Sequence, residues 1–221
     1  MSSVFSYPAR IRHESPEPYP AFFLGAVGVL KMPINWPDVK FEPAGLDDVG
    51  AIAAMADEIS RQHYLPDVLT ESQLASFGPL AYAPEVLSAQ MQSDVRFEWI
   101  LHSGRRVGFL AYAARDGGER LNLGKLYLEP ACHGLGIGQV ALWRVQDIAE
   151  QQGAREIYLY VFRKNGKAIR AYQRAGFIID RAESTPCSNG FCYDDYVMVY
   201  HLKPYERQNL AGKSGRRPEP P

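Results

Sequence analysis

Two hydrophobic periodicities, one typical of helices and one typical of strands, alternate along the middle of the chain. Apolar residues spaced three or four positions apart, such as Ile52, Ala56 and Ile59, indicate amphipathic helices because that spacing returns to one face of an α-helix. Gly78 and Pro84 interrupt the second of these helical stretches. The first predicted helix opens at residue 46, and the others cover residues 71–80, 85–91, 136–152 and 167–175.

Short apolar runs bounded by turn residues indicate β-strands. Ser103-Gly104 and Asp116-Gly117-Gly118 mark two tight turns between such runs. The predicted strands cover residues 39–41, 97–102, 107–114, 121–129, 157–162, 177–180 and 193–202. Because helices and strands alternate without an internal repeat, the pattern favours one α/β (α+β) domain over residues 39–203.

The two ends of the chain lack this patterning. Residues 1–38 contain repeated prolines and show no sustained hydrophobic period, and residues 204–221 are polar and rich in proline and glycine. Segments of this composition bury too little apolar surface to offset the entropy that is lost on folding. We therefore expect an N-terminal extension that is ordered in part at best, and a disordered C-terminal tail.

Composition argues against several classes of partner. The 221 residues include 24 basic and 25 acidic side chains, so a formal charge of −1 provides no broad positive field for nucleic acid. The longest apolar run, residues 21–30, is shorter than the roughly 18 residues that a membrane-spanning helix needs. Three cysteines do not indicate a disulfide-stabilised secreted domain. We expect a soluble, cytoplasmic protein with no nucleic-acid or membrane partner.

The segment from Lys125 to Ala149 runs from a predicted strand through a glycine-rich turn into a predicted helix. Gly134, Gly136 and Gly138 allow the backbone to approach a ligand closely because they carry no Cβ. The first turn of a helix also offers unpaired N–H groups and the positive end of the helix dipole. Such a turn is suited to holding a pyrophosphate.

Three other interpretations of this turn compete with that one. Residues 136–141 fit the dinucleotide-binding pattern, but that pattern needs an acidic residue at the end of the next strand, where Phe162-Arg163 stands. A nucleoside triphosphate loop needs Gly-Lys-Ser or Gly-Lys-Thr, which the segment lacks. The glycines alone also fit a tight turn that binds no ligand.

A second motif follows on the next predicted helix. Asn165 stands where a helix cap is expected, and Ala168 and Tyr172 lie three and seven residues further on. The three residues therefore share one helical face. Gly176-Phe177 then ends the helix and begins a strand.

With both motifs in this order, the chain resembles the GNAT superfamily of N-acetyltransferases over residues 39–202. The glycine-rich run from His133 to Gly138 matches one family motif, and the run from Asn165 to Phe177 matches the other. The sequence departs from the family at His133, where arginine or glutamine is usual. A histidine there still offers one hydrogen-bond donor to a phosphate.

The resemblance implies a fold and a co-substrate. The fold is a single domain with a mixed, mostly antiparallel sheet of about six to seven strands, flanked by helices, in which the fourth and fifth strands splay into a V. Acetyl-coenzyme A (acetyl-CoA) then lies in the V, and no metal or redox cofactor is needed. The cofactor-binding residues expected from the family are Leu126, Tyr127, Leu128, His133, Gly134, Leu135, Gly136, Ile137, Gly138, Gln139, Asn165 and Ala168.

The resemblance also implies direct attack of an amine on the thioester in a ternary complex. Tyr172 matches the family's proton donor to the departing thiolate. The amine must lose a proton, because alkyl amines are protonated at neutral pH. The base stays open, since Tyr160 stands where some relatives have glutamate. Glu98, Asp194 and Asp195 are candidates, although adjacent residues on a strand face opposite sides.

The acceptor wall implied by the resemblance includes the segment between the first two helices, where Tyr64 and Asp67 are candidate substrate contacts. Four acidic residues predict a negatively charged entrance to the acceptor site, which favours small cationic amines. They are Asp67, Glu98, Asp194 and Asp195. The sequence leaves small-molecule and peptide amines open as acceptors, and it is compatible with a homodimer. A catalytically weak, acyl-CoA-binding regulatory module is the alternative function, because no glutamate base is apparent.

Overall fold

A seven-stranded mixed sheet forms the centre of the domain in a computed structural model of the chain. The structure describes residues 38–186 and 192–202, so the expected tail and nearly all of the expected N-terminal extension lie outside the described residues. The strands are β1 (Val39–Ala44), β2 (Arg96–His102), β3 (Arg105–Arg115), β4 (Arg120–Leu128), β5 (Glu156–Phe162), β6 (Ile178–Pro186) and β7 (Cys192–His201). Their order across the sheet is β1-β2-β3-β4-β5-β7-β6.

Helices cover both faces of this sheet. They are α1 (Val49–Tyr64), α2 (Glu71–Tyr82), α3 (Pro84–Gln92), α4 (Ile137–Gln151) and α5 (Gly166–Arg174). The helices α1, α2 and α3 pack on one face, called here the α1 face, and α4 and α5 pack on the other, the α4 face. None of the helices that the structure describes is long and apolar enough to span a membrane.

Each face of the sheet carries its own hydrophobic core. Leu121 and Ile157 are fully buried on the α4 face, and Ile52, Trp99 and Phe109 are buried on the α1 face. Burying a large apolar side chain stabilises a fold by roughly 1.5–3 kcal/mol. The central strands β4 and β5 are therefore anchored by Leu121 and Ile157 at their amino ends.

The strands β4 and β5 diverge after a short parallel pairing. They pair only from Arg120 to Asn122 and from Glu156 to Tyr158, whereas every other neighbouring pair in the sheet is antiparallel. Beyond that point β4 continues against β3, and β5 continues against β7. The Asn122 amide donates to the Tyr158 carbonyl at 3.4 Å where the strands part. The expected mixed sheet with a V-shaped splay is confirmed.

The predicted elements are all present, although several differ in extent, and β1 runs to Ala44 instead of ending at residue 41. The helix α2 continues through Gly78 and Pro79 to Tyr82, because Phe77 and Tyr82 are buried against the α1 face and hold the chain in place. The strand β6 extends to Pro186, well beyond the predicted residue 180, although most of its side chains are exposed. Pairing with β7 stabilises it, and no pattern within its own sequence signals that pairing.

Candidate active site

A β-bulge in β4 decides which side chains line the cleft between β4 and β5. Leu123 pairs with Tyr112 and Lys125 pairs with Ala111, so Gly124 is an extra residue on β4. Such a bulge reverses the alternation of side chains that follows it. Leu123 packs in the core of the α4 face, whereas Lys125 lies two residues from Tyr127, which packs on the α1 face.

The backbone of β4 offers unpaired polar groups to this cleft. The Glu129 N–H donates to the Val107 carbonyl on β3, and hydrogen-bonded residues alternate along an antiparallel strand. The peptide groups of Tyr127 therefore point toward β3, and those of Leu126 and Leu128 point into the cleft. The Leu128 carbonyl accepts a hydrogen bond from His133 Nε2 at 3.0 Å. Of the three residues expected to pair with pantetheine, Leu126 and Leu128 present their backbones to the cleft.

The glycine-rich turn presents a row of amide groups at the start of α4. Gly134 and Gly136 adopt φ angles of 79° and 83°, in the left-handed region that favours glycine. Within the described part of the chain, no acceptor takes the N–H groups of residues 134–138, whereas Gln139 N–H is bonded to the Gly136 carbonyl. Ile137 is fully buried in the core of the α4 face and anchors the start of α4 there. Five successive free amides fit an anionic group such as a pyrophosphate.

Two histidines lie against each other beside this turn. The rings of His63, in the last turn of α1, and His133 meet edge-on with centroids 5.4 Å apart. His133 directs its Nε2–H to the Leu128 carbonyl. Burial and the neighbouring His133 lower the pKa of His63, although a hydrogen bond to the Asn165 side chain opposes this. Sequence reasoning missed His63, whose only signal was its place directly before Tyr64.

The helix α5 brings its motif residues to the opposite wall of the cleft. Asn165 caps the helix as expected, because its Oδ1 accepts the Ala168 N–H at 3.1 Å. Burial raises the pKa of Tyr172 to about 12, so its hydroxyl keeps its proton at neutral pH. Tyr172 lies close enough to Tyr64 and Tyr127 to help raise the pKa of both. The Tyr172 hydroxyl therefore approaches the cleft from the α4 face.

Three tyrosines, Tyr64, Tyr82 and Tyr127, join their hydroxyl groups on the α1 face and are called here the tyrosine triad. The Tyr127 hydroxyl lies 3.0 Å from the Tyr64 hydroxyl and is also hydrogen-bonded to that of Tyr82. The Tyr64 ring contacts Tyr127 on β4 and Phe162 on β5, with centroids 6.4 Å and 5.8 Å away. Burial raises the pKa of all three phenols well above 10. The triad therefore closes the cleft with neutral hydroxyl groups.

One carboxyl group faces the triad from β7. Asp195 pairs with Phe162 across β5 and β7, and it is only 4% exposed. Burial, followed by the charges of Asp194 and Glu183, raises its pKa to about 7. Its charge also helps to raise the pKa of Tyr64. No residue that the structure describes forms a hydrogen bond or ion pair with the Asp195 carboxyl group.

The neighbouring acid, Asp194, points away from the cleft. Its Oδ1 accepts hydrogen bonds from Arg163 and Ser184, both at 3.1 Å. The alternation expected for adjacent residues on a strand is thus observed, since Asp195 is buried and Asp194 is exposed. Sequence reasoning predicted that at most one of the two acids faces the site, and the packing of β7 selects Asp195.

The other candidate acids do not gather at the cleft. Glu98 lies on the α4 face, where Arg144 binds its carboxylate at 3.0 Å and Tyr112 donates to it at 3.1 Å. Asp67 is exposed in the turn after α1. The negatively charged entrance expected from the sequence is therefore not formed, because Glu98 and Asp194 are paired with arginines elsewhere.

Comparison with known proteins finds relatives that share this sequence or this architecture. Residues 62–177 match the model of the Acetyltransferase (GNAT) family. An uncharacterized N-acetyltransferase of Mycobacterium tuberculosis is 30% identical over 158 residues, which cover 71% of this chain and 97% of that protein. The streptothricin acetyltransferase of Streptomyces lavendulae is 35% identical over 74 residues, which cover 34% of this chain and 39% of that enzyme.

A solved structure shows the same fold. The PaiA N-acetyltransferase of Thermoplasma acidophilum, crystallised with coenzyme A, aligns with a TM-score of 0.62. It is 21% identical and the alignment covers 74% of this chain and 99% of that one. The family match extends over the glycine-rich turn and α5.

Proposed function

The chain belongs to the GNAT family of acetyltransferases, and from that premise we propose that it moves the acetyl group of acetyl-CoA directly onto a primary amine, with Asp195 as the base. The observation that carries the proposal is the meeting of three groups at one cleft. The free amides of residues 134–138, the Tyr172 phenol and the Asp195 carboxyl group approach it from α4, α5 and β7.

Acetyl-CoA binding is assigned to two backbone surfaces. The amides of residues 134–138 and the amino end of α4 hold the pyrophosphate, because they supply unpaired donors and a positive dipole end. The cleft-facing peptide groups of Leu126 and the N–H of Leu128 pair with the pantetheine amides, because the Leu128 carbonyl is bonded to His133. Backbone groups carry both tasks, so an arginine or glutamine in place of His133 is not required.

Asp195 is suited to accept the proton of the acceptor. An alkyl ammonium ion has a pKa of about 10, and it becomes a nucleophile only when it loses a proton. With a pKa of about 7, Asp195 is ionised at the upper end of the neutral range and is a stronger base than an exposed carboxylate. The amine nitrogen then bonds to the acetyl carbon, the carbon–sulfur bond breaks, and coenzyme A leaves as the thiolate.

Tyr172 stabilises the thiolate that forms in this step. A phenol with a pKa of about 12 does not transfer its proton completely to a thiolate, because thiols have a pKa of about 8.5. A hydrogen bond from the Tyr172 hydroxyl to the sulfur is strongest when the negative charge develops there. The structure therefore favours a hydrogen-bonding role for Tyr172 over complete proton transfer.

The alternative is a module that binds acyl-CoA and turns it over poorly. The lack of a glutamate at Tyr160 supported it, and the buried carboxyl group of Asp195, which no described residue pairs with, argues against it. Release of coenzyme A from acetyl-CoA, measured across a broad panel of amines, tests the proposal. We expect at least one amine to be acetylated in stoichiometric amount. Tight acetyl-CoA binding without turnover of any amine would support the module instead.

A further inference from the structure

Lys125 places an ammonium group beside the tyrosine triad, with no counter-ion among the residues that the structure describes. The bulge at Gly124 turns its side chain to the α1 face, next to Tyr127. Its Nζ lies 5.4 Å from the centre of the Tyr82 ring, and the side chain is half-buried. No carboxylate in the described ranges forms an ion pair with it.

Other partly buried cations of this chain have carboxylate partners. Arg120 is paired with Glu156, and Arg144 is paired with Glu98. For Lys125, loss of solvation alone lowers the pKa to about 8, so the group still carries a proton at neutral pH. A cation held away from water without a partner is unfavourable, and binding an anion relieves that cost.

Lys125 and the base stand at opposite ends of one surface. The Lys125 ammonium lies over Tyr82, the triad hydroxyls run from Tyr82 through Tyr127 to Tyr64, and the charge of Asp195 acts on Tyr64. Lys125 and Asp195 are not paired with each other. A molecule that spans the triad therefore meets a cation at one end and a carboxylate base at the other.

We propose that the acceptor is a carboxylate-bearing amine, such as an amino acid, whose carboxylate pairs with Lys125 while its amine faces Asp195. This inference rests on the proposed acetyltransferase function and names its substrate class. It replaces the cationic acceptors expected from the sequence, because the acids that suggested them are dispersed or paired with arginine. The neutral triad hydroxyls, which are hydrogen-bonded to one another, lie between the two charged groups.

Matched pairs of amines that differ only in the carboxylate test the proposal. The panel contains α-amino acids with their decarboxylated amines, such as tyrosine with tyramine, and ω-amino acids of increasing length with the corresponding alkylamines. We expect the wild-type enzyme to prefer the carboxylate member of at least one pair by about 10- to 100-fold in kcat/KM, the range of a charge-assisted hydrogen bond.

Lys125→Gln should abolish that preference while acetyl-CoA affinity and kcat/KM for the decarboxylated partner stay within about threefold of wild type. Lys125→Arg should restore part of the preference, since it keeps the charge. Lys40→Gln is the matched control, because Lys40 is exposed on β1, away from the cleft. Melting temperatures of all three variants show whether each is folded, and Lys125→Met replaces Lys125→Gln if that variant is not.

Each outcome bears on one proposal. If decarboxylated amines are acetylated as well as their carboxylate partners, the substrate class is wrong. If Lys125→Gln keeps the preference, Lys125 does not bind the carboxylate. In both cases the acetyltransferase function stands. If acetyl-CoA binds and no member of any pair is acetylated, the proposed function itself is contradicted.

Discussion

Replacing Asp195 with asparagine should stabilise the folded protein at pH 8 and remove most of its activity. Burial raises the pKa of the carboxyl group from 3.8 to about 7. At about 1.4 kcal/mol for each pH unit, its ionised form costs the folded state up to about 4 kcal/mol. Asparagine removes the charge and keeps the shape, but its amide adds donors whose burial costs about 1–3 kcal/mol. We expect a net gain of about 1–3 kcal/mol in the free energy of unfolding.

The stability gained by Asp195→Asn must depend on pH in a defined direction. Between about pH 4 and pH 7 the folded protein holds a proton on Asp195 that the unfolded chain has released. The stability of the wild type therefore falls as the pH rises through this window, and the full cost is present above pH 7. The advantage of Asp195→Asn should be greatest at pH 8 and absent near pH 4.

Urea unfolding of both proteins at pH 4.5, 6 and 8 measures this difference. Asp194→Asn is the control, because Asp194 is exposed and bonded to Arg163, so its removal should change stability by less than about 1 kcal/mol. The reasoning is refuted if Asp195→Asn is no more stable than the wild type at pH 8, or if its advantage is the same at every pH.

Three further substitutions, one of them with a matched control, test the cleft and the sheet beside it. Tyr172→Phe should lower kcat by about 10- to 100-fold with acetyl-CoA affinity and melting temperature nearly unchanged, and a wild-type kcat would remove the hydroxyl from the mechanism. Gly136→Val should weaken acetyl-CoA binding at least tenfold, measured by calorimetry. Gly153→Val is its control, because Gly153 is an equally left-handed position after α4, and this variant should lose stability but keep its affinity for acetyl-CoA. Gly108→Ala should cost about 1–3 kcal/mol of stability, because its Cβ would lie 2.2 Å from the Tyr127 carbonyl oxygen; an unchanged melting temperature would contradict this.

Local motifs were readable from the sequence because their chemistry is local. The glycines at 134 and 136 occupy left-handed backbone, and Asn165 caps α5, both within a few residues of their partners. The order of helices and strands follows from periodicity in the same way. The splay of β4 and β5 followed only from the family resemblance, because no local pattern encodes how far two distant strands pair.

The acceptor side of the site could not be predicted from local sequence motifs. The tyrosine triad joins α1, α2 and β4, and the bulge at Gly124 that directs Lys125 to it depends on pairing with β3. Periodicity predicted that Asp194 and Asp195 face opposite sides, but the choice between them depends on which face of β7 meets the triad. Glu98 could not be assigned to a face before its partner Arg144 was located.

The pH dependence of kcat/KM for the best acceptor tests the central claim most directly, since that claim makes Asp195 the base and kcat/KM reports the groups of the free enzyme. For the wild type we predict a rate that rises with pH and levels off above an apparent pKa close to 7. In Asp195→Asn the rate should fall by at least about 100-fold, and the rise near pH 7 should be missing. A variant that keeps both the rate and the inflection would show that another group accepts the proton of the amine.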